Sequence, residues 1–246
     1  MKNKRSKPRK IAASSGVIED LVAASRILAA EGVLDAYGHV SARSDKRPEH
    51  FIMSRSRAPA LVTAADLMEL DADSEPLAGD ARKGFIERYI HGEIYRTRPD
   101  VMAVVHSHSP SVIPFGVTNT KLRPLYHMGS FLWSGAPVWD IRKVRDDNDL
   151  LVRDGALGAA LATALGGCNC VLMRGHGMTV IGGTIQEAVF RAIYTEMNAR
   201  LQLQAESLEG PIQFLSETEG RRSSETNRGT LERPWELWKS KALGRK

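Results

Sequence analysis

Two histidines separated by one residue, His106 and His108, follow the apolar run VMAVV of residues 101–105. The β-branched content of this run predicts a buried strand, and side chains two residues apart on a strand lie on the same face. Two imidazoles on one face at the end of a strand can supply two ligands to one metal ion. An H-x-H pair alone is weak support, because many such pairs bind nothing, so further ligands are needed.

His176 and Glu87 are the candidates for those further ligands. His176 lies between Gly175 and Gly177 at a second predicted strand break, where glycines let the backbone approach a site closely. Glu87 lies on a predicted helix that precedes the His106 strand. Three histidines and a carboxylate form a common catalytic metal set with a position open for water or substrate. The alternatives are that His176 is an ordinary loop residue and Glu87 a solvated surface residue.

The elements that must position these residues follow from hydrophobic periodicity, capping signals and turn residues. A capping box opens the last predicted helix. The pattern indicates an α/β protein with one large domain. The predicted helices span residues 17–32, 84–97, 155–165 and 185 to about 206, and the predicted strands span 38–44, 50–56, 101–106, 170–174 and 178–181.

Charge distribution excludes nucleic acid as the expected main partner. The formal net charge of the 246 residues is +5, but residues 1–10 and 221–246 hold the excess, and the body is mildly acidic. We expect residues 1–12 to be a disordered basic tail and residues 216–246 to be a polar, basic tail with a tryptophan-containing docking segment.

The sequence contains neither a signal for a membrane-spanning helix nor a cysteine pattern typical of a disulfide or zinc site. No apolar run approaches the roughly 20 residues of a membrane-spanning helix, so no membrane partner is expected. The two cysteines, Cys168 and Cys170, are too close in sequence for a typical structural disulfide and too few to form a zinc site alone. These features predict a cytoplasmic protein.

Several candidate residues occur in the order and spacing of a known family. The chain resembles the class II aldolase/adducin family over about residues 17–205, nearly the whole predicted folded body. The resemblance rests on Glu87, His91, Tyr95, Arg98-Pro99-Asp100, Val104-Val105-His106-Ser107-His108, Gly175-His176-Gly177 and an early motif, Gly38-His39-Val40-Ser41-Ala42-Arg43.

The resemblance implies a three-layer α/β/α fold with a largely antiparallel central sheet, here in a catalytic domain of residues 13–215. It implies one divalent metal ion per subunit, held by His106, His108 and His176, with Glu87 as the acid/base. Zinc or manganese suits these ligands best, and cobalt or iron is an alternative. The resemblance also implies a homo-oligomer, typically a tetramer, with active sites at subunit interfaces. Adducin-type members lack this ligand set, which favours an enzyme over a non-enzymatic binding module.

The sequence departs from the sugar-phosphate members of the family at the phosphate site. Those members have two serines directly before the catalytic glutamate, whereas this chain has Phe85 and Ile86, which cannot donate hydrogen bonds to a dianion. A second phosphate element matches residues 54–57, where Arg57 replaces a glycine and Arg55 is added. Arginine forks suit planar carboxylates, although a solvated hairpin end is the alternative for both arginines.

These departures resemble a branch of the family whose members decarboxylate hydroxylated aromatic or ring-opened, muconate-type dicarboxylates. We therefore predict metal-dependent decarboxylation of a small carboxylate through an enolate or phenolate, with Glu87 as proton donor and its pKa raised by apolar neighbours. The alternative is a sugar-phosphate aldolase or epimerase that uses the same metal ligands. The predicted substrate-binding residues are His39, Ser41, Ser54, Arg55, Arg57 and His127.

Overall fold

A seven-stranded sheet organises the computed structural model, which describes residues 11–77 and 79–244. The strand order is β3-β2-β1-β4-β7-β6-β5, and every neighbouring pair is antiparallel except β5 with β6. The predicted largely antiparallel sheet is thereby confirmed. The strands are β1 (His39–Arg43), β2 (Phe51–Ser54), β3 (Leu67–Leu70), β4 (Ala103–Ser107), β5 (Val138–Trp139), β6 (Cys170–Met173) and β7 (Gly177–Gly182).

Helices cover both faces of this sheet. Side chains at the residues before α1, α4, α5 and α6 accept hydrogen bonds from the first-turn backbone N–H groups, which otherwise lack partners. The predicted helix at 155–165 and the start of the helix at 185 are confirmed. The helices are α1 (Ser15–Ala30), α2 (Arg88–Thr97), α3 (Ile113–Val117), α4 (Gly155–Leu165), α5 (Ile185–Glu206), α6 (Glu217–Arg228) and α7 (Glu232–Leu243).

Alternation along β4 shows how the layers are assembled. Ala103 and Val105 lie in the apolar core that the sheet forms with α1 and α5, whereas Val104 lies in the core on the opposite face, with α2 and α4. Successive strand side chains point to opposite faces, so residues 103–105 of β4 are apolar on both sides of the sheet. This arrangement confirms the predicted α/β/α layers and places His106 on the α2 face.

Two strands were missed by the sequence analysis. They are β5 and β3, and β3 runs through a segment to which the sequence analysis assigned no strand, with Glu69 buried. The carboxylate of Glu69 accepts hydrogen bonds from His50 Nδ1 at 2.7 Å and from the backbone N–H of Ala12 at 2.8 Å. A charged residue interrupts the apolar pattern by which a strand is recognised in a sequence. It does not prevent the strand from forming when the charged group has buried hydrogen-bond partners.

The N-terminal tail lies mostly outside the described residues, which begin at Ile11. Ala12 belongs to the ordered domain, because its N–H donates to Glu69 and its carbonyl accepts from Ser44 Oγ. The predicted boundary of a disordered tail at residue 12 therefore falls within residues that pack on the sheet.

The predicted polar, basic C-terminal tail contains two helices. Ser216 and Glu219 form a capping box at the start of α6, and α7 carries Trp235 and Trp238, which are 7% and 8% exposed. Both tryptophans join the core that contains α1 and α5, so the docking segment packs on its own domain. Among the described residues, no helix combines the length and apolar character needed to cross a bilayer.

Candidate metal centre

Glu87, His106, His108 and His176 meet where β4 ends beside the turn between β6 and β7. Each side chain offers one ligand atom, and the four atoms all lie within 4.8 Å of one another. Glu87 Oε2 lies 3.5 Å from Nε2 of both His106 and His176, and the Nε2 atoms of His108 and His176 are 3.1 Å apart. The spacing is tight enough for all four residues to bind one ion.

The pairing of β4 with β7 brings the histidines together. His106 lies opposite Thr179, and Ser107 lies opposite Met178, so the turn that carries His176 lies beside His108. Gly177 makes this close approach possible, because a Cβ at that position would overlap the carbonyl oxygen of Ser107. The glycines around His176 thus serve the close backbone contact that the sequence analysis predicted.

Replacing Gly177 with alanine is expected to destabilise the fold and to displace the metal ligands. The added methyl group must push β7 away from Ser107, so we expect the free energy of unfolding to fall by at least about 2 kcal/mol. Urea denaturation and metal content check this expectation. Gly167→Ala is the matched control, because a Cβ there meets no atom within 4 Å, and equal losses in both variants would contradict the argument.

Backbone carbonyls fix the protons of two histidines. His106 Nδ1–H donates to the carbonyl oxygen of Met178 at 3.1 Å, and His176 Nδ1–H donates to that of Leu150 at 2.9 Å. In its neutral form, each ring so bonded presents an unprotonated Nε2 to the cluster, which is the arrangement that metal-binding histidines require. His106 Nε2 is buried and has no hydrogen-bond partner among the described residues, so the site fits a divalent cation.

Glu87 faces inward, which the sequence alone did not show. Its residue is 7% exposed, and its Oε1 accepts a hydrogen bond from the Val152 N–H at 3.0 Å. The helix predicted from residue 84 begins only at Arg88, so Glu87 stands at the N-terminal end of α2 rather than within it. The loop after β5 lies against the cluster through Val152 and Leu150, and Leu150 has a φ of 69°. The sequence analysis missed this loop because its residues contribute backbone groups.

The acid–base state of the cluster suits a cation. Burial raises the pKa of Glu87, but the imidazoles of His106 and His176, whose Nε2 atoms lie 3.5 Å from its Oε2, outweigh burial and hold this pKa below its ordinary value. Burial, with His106 and His176, lowers the pKa of His108 to about 4. An ionised carboxylate and a neutral imidazole are the forms that bind metals. The expectation of a raised Glu87 pKa was wrong because histidines, rather than Phe85 and Ile86, dominate its surroundings.

A cavity of about 330 Å³ opens beside the cluster. This volume is at the small end of the range for small-molecule pockets, about 300–1,000 Å³, and suits a ligand with one ring. A larger cavity of about 810 Å³ is lined by none of the four cluster residues. The charged, aromatic and bulky apolar residues that line the smaller cavity include His39, Arg57, Lys83, Phe85, Ile86, Glu87 and His108.

Comparison with known proteins identifies the family. Residues 19–203 match the class II aldolase and adducin N-terminal domain. The chain belongs to this family. It is 41% identical to the decarboxylase tropJ of Talaromyces stipitatus, over 90% of this chain and 92% of that protein. It is 32% identical to a 3,4-dihydroxyphthalate decarboxylase of Arthrobacter keyseri, over 83% of this chain and 85% of that one.

Structural comparison confirms the fold of this class II aldolase/adducin family member. The L-fuculose 1-phosphate aldolase of Glaciozyma antarctica superposes with a TM-score of 0.77 at 23% identity, over 98% of this chain and 96% of the aldolase. An aldolase II superfamily protein of Pseudomonas syringae gives 0.78 at 22% identity, with 92% of each chain covered. Together with the curated relatives, the family membership confirms the predicted enzyme class, a carbon–carbon lyase.

Four of the predicted substrate-binding residues lie outside the cavity of this family member. Ser41 is fully buried behind the cavity wall, Ser54 is buried in β2, and His127 is exposed at the start of a 3₁₀ segment. Arg55 Nε donates to Asp66 Oδ1 at 2.8 Å. The family motifs did not predict where these side chains lie, because the facing of each strand residue and the ion pairs decide their positions.

Arg57 and His39 are the two predicted substrate-binding residues that line the cavity. Arg57 Nε donates to the Leu61 carbonyl at 3.0 Å and lies 3.4 Å from Asp66 Oδ2. Its bonds to the described residues engage only Nε, so the terminal nitrogens remain for a ligand. Of the predicted substrate-binding residues, the structure thus brings one arginine and one histidine to the cavity beside the metal cluster.

Proposed function

We propose that this chain is a divalent-metal-dependent decarboxylase of a hydroxylated aromatic or ring-opened, muconate-type dicarboxylate. The observation that carries the proposal is the buried, unpartnered Nε2 of His106 within a four-ligand cluster that faces a cavity with an arginine. Relatives named as decarboxylases, one of them acting on 3,4-dihydroxyphthalate, support the reaction type.

His106, His108 and His176 would hold the ion, with Glu87 beside it. A divalent ion held there supplies Lewis-acid stabilisation of negative charge on a substrate oxygen. In its ionised form, Glu87 takes the proton of the substrate hydroxyl at Oε2, since Oε1 is occupied by the Val152 N–H. The bond to the carboxylate carbon then breaks and releases CO2. Glu87 returns the proton to the carbon that keeps the electron pair, and solvent reprotonates the oxygen.

The cavity walls support a flat dicarboxylate over a sugar phosphate. Phe85 is partly buried and lies with its ring centroid 4.5 Å from that of His39, so it offers an apolar face for a ring. Ile86 adds apolar surface, and neither residue donates a hydrogen bond to a phosphate. Arg57 and His39 would hold the carboxylate that the substrate keeps. The sugar-phosphate aldolase alternative is supported only by the shared fold and metal ligands.

The remaining features of the proposal extend the family resemblance. We propose zinc or manganese as the resident ion, with cobalt or iron as alternatives, because three imidazoles and a carboxylate suit each of them. We also propose a cytoplasmic homo-oligomer, with four subunits and active sites between them. The exposed His127 would contact the substrate in a neighbouring subunit's site. Light scattering would test the oligomer, and a monomeric active enzyme would contradict it.

A screen of metal-loaded protein against carboxylates tests the main proposal. Zinc- and manganese-loaded samples are incubated with 3,4-dihydroxyphthalate, hydroxymuconate semialdehyde carboxylates and ketose phosphates, with CO2 release as the readout for the carboxylates and aldehyde release as the readout for the ketose phosphates. We expect CO2 from one of the dicarboxylates, none after chelation, and one deuterium in the product when the reaction runs in D2O. Cleavage of a ketose phosphate without CO2 from any dicarboxylate would favour the aldolase alternative.

Replacement of Arg57 and replacement of Arg55 are expected to have different effects on KM and on thermal stability. Arg57→Ala removes a cavity-lining cation, so we expect KM for the dicarboxylate to rise about tenfold to a hundredfold, as for loss of a charged hydrogen bond of about 1.5–3 kcal/mol. Arg55→Ala breaks an ion pair with Asp66 and should lower the thermal midpoint while KM changes less than twofold. Steady-state kinetics and thermal melts measure both, and the reverse pattern would show that Arg55 binds the substrate.

A further inference from the structure

A buried chain of hydrogen bonds runs from helix α2 to the wall of the cavity. Ser41 Oγ lies 2.7 Å from Tyr95 Oη and 2.6 Å from His91 Nδ1. His91 Nε2 lies 2.7 Å from His39 Nδ1. Ser41 and His91 are fully buried, and Tyr95 and His39 are 6% and 5% exposed. This chain of hydrogen bonds therefore links the cavity-lining His39 to the Tyr95 hydroxyl group, which lies well behind the site.

The tyrosine sets the direction of this chain. Burial raises the pKa of Tyr95, so its oxygen keeps the proton, and Ser41 Oγ is its only hydrogen-bond acceptor among the described residues. If the bonds ran the other way, Ser41 would donate to Tyr95 and a buried O–H would have no acceptor, which is costly. Tyr95 therefore donates to Ser41, and Ser41 donates to His91 Nδ1.

The direction of hydrogen-bond donation continues from Ser41 through His91 to His39. Burial lowers the pKa of His91 to about 3, so its ring is neutral, and with Nδ1 accepting, the single proton is on Nε2. That N–H donates to His39 Nδ1, which leaves the proton of a neutral His39 on its own Nε2. His39 Nε2 has no hydrogen-bond partner among the described residues, and His39 lines the cavity. Its N–H is thus the group left to meet a ligand.

We propose that Tyr95, Ser41 and His91 are positioning residues that fix His39 as an N–H donor for the carboxylate that the substrate keeps. This inference rests on the proposed function. A fixed donor selects an acceptor oxygen at this point of the cavity, and a ligand that offers a hydroxyl or ammonium hydrogen there is disfavoured. In this arrangement, the buried Ser41 acts on the ligand through His91 and His39 without touching it.

Nitrogen NMR of the imidazole rings tests the position of the proton directly. The full chain is labelled with ¹⁵N-histidine and loaded with zinc, which is diamagnetic, and the His39 signals are assigned by their loss in His39→Gln. We expect a protonated Nε2 and a bare Nδ1 for His39. A protonated Nδ1 with a bare Nε2 would overturn the inference. The wild-type chain decides this point, so the result does not depend on how any His91 or Tyr95 variant folds.

Ligand binding tests the function of the donor. Phthalate carries two carboxylates and no hydroxyl, whereas salicylate carries only a carboxylate and a hydroxyl that can chelate one ion. We expect His91→Leu to weaken phthalate binding to the zinc-loaded protein about tenfold and salicylate binding less than twofold, by titration calorimetry. His91→Gln, whose amide nitrogen can donate to His39 Nδ1, should restore most of the phthalate affinity. Equal losses for both ligands in His91→Leu would overturn the inference.

A second tyrosine on the same helix provides the control. Tyr89 donates its hydroxyl to Glu75 at 2.8 Å and takes no part in the chain. Tyr89→Phe should leave both dissociation constants unchanged, whereas Tyr95→Phe should weaken phthalate selectively. Neither measurement uses turnover, so an enzyme that releases no CO2 but shows this tautomer and selectivity would refute only the decarboxylase proposal. An enzyme that releases CO2 but lacks this tautomer and this selectivity would refute only the donor inference.

Discussion

Replacing His106 with alanine is expected to abolish both metal binding and CO2 release. Among the described residues, His106 Nε2 is buried without a hydrogen-bond partner, and its ring is fixed by the Met178 carbonyl. Changes to groups that only orient a metal ligand cost about 10–100-fold in metal affinity or activity, so loss of the ligand itself should cost more than about 100-fold in each. Elemental analysis after dialysis and CO2 release together measure the effect.

The control for this prediction is a histidine outside the cluster. His50 Nδ1 bonds to the buried Glu69 at 2.7 Å and lies on the hairpin beside β3. His50→Gln should lower stability modestly and leave the metal content at one ion per subunit. Stoichiometric metal and undiminished turnover in His106→Ala would remove His106, and with it the metal role of the cluster, from the mechanism.

Replacing Glu87 with glutamine is expected to remove turnover while the metal stays bound. The amide oxygen can still accept the Val152 N–H, and the three histidines still hold the ion, but the side chain no longer carries a proton between substrate atoms. Positioned proton transfer contributes typically about 10²–10⁴-fold, so kcat should fall by this factor. Single-turnover CO2 release and metal analysis separate the two effects.

A surface carboxylate on the same side of the domain serves as the control. Glu75 is half-exposed and paired with Arg88 at 2.7 Å, away from the metal ligands. Glu75→Gln should change kcat by less than twofold. If Glu87→Gln keeps kcat within twofold of the wild type, Glu87 is only a structural residue, and another group must supply the proton.

The metal cluster was accessible from the sequence because its signals are local. His106 and His108 share a face through the period of a strand, and the glycines around His176 mark a close backbone approach. The order of these motifs also indicated the family, which the comparison confirmed. By contrast, α6 has no apolar stripe, so only its capping box at Ser216 and Glu219 could have revealed it.

The sequence by itself indicated an α/β protein and the four residues able to bind a metal, and its resemblance to the family implied the layered architecture and the largely antiparallel sheet. Only the tertiary structure decided that Glu87 faces inward, that Arg55 pairs with Asp66, and that Ser41 contacts His91 rather than the cavity. The physical reason is the range of the interactions. Periodicity fixes which face of an element a side chain occupies, whereas ion pairs and buried hydrogen bonds join residues that are distant in sequence.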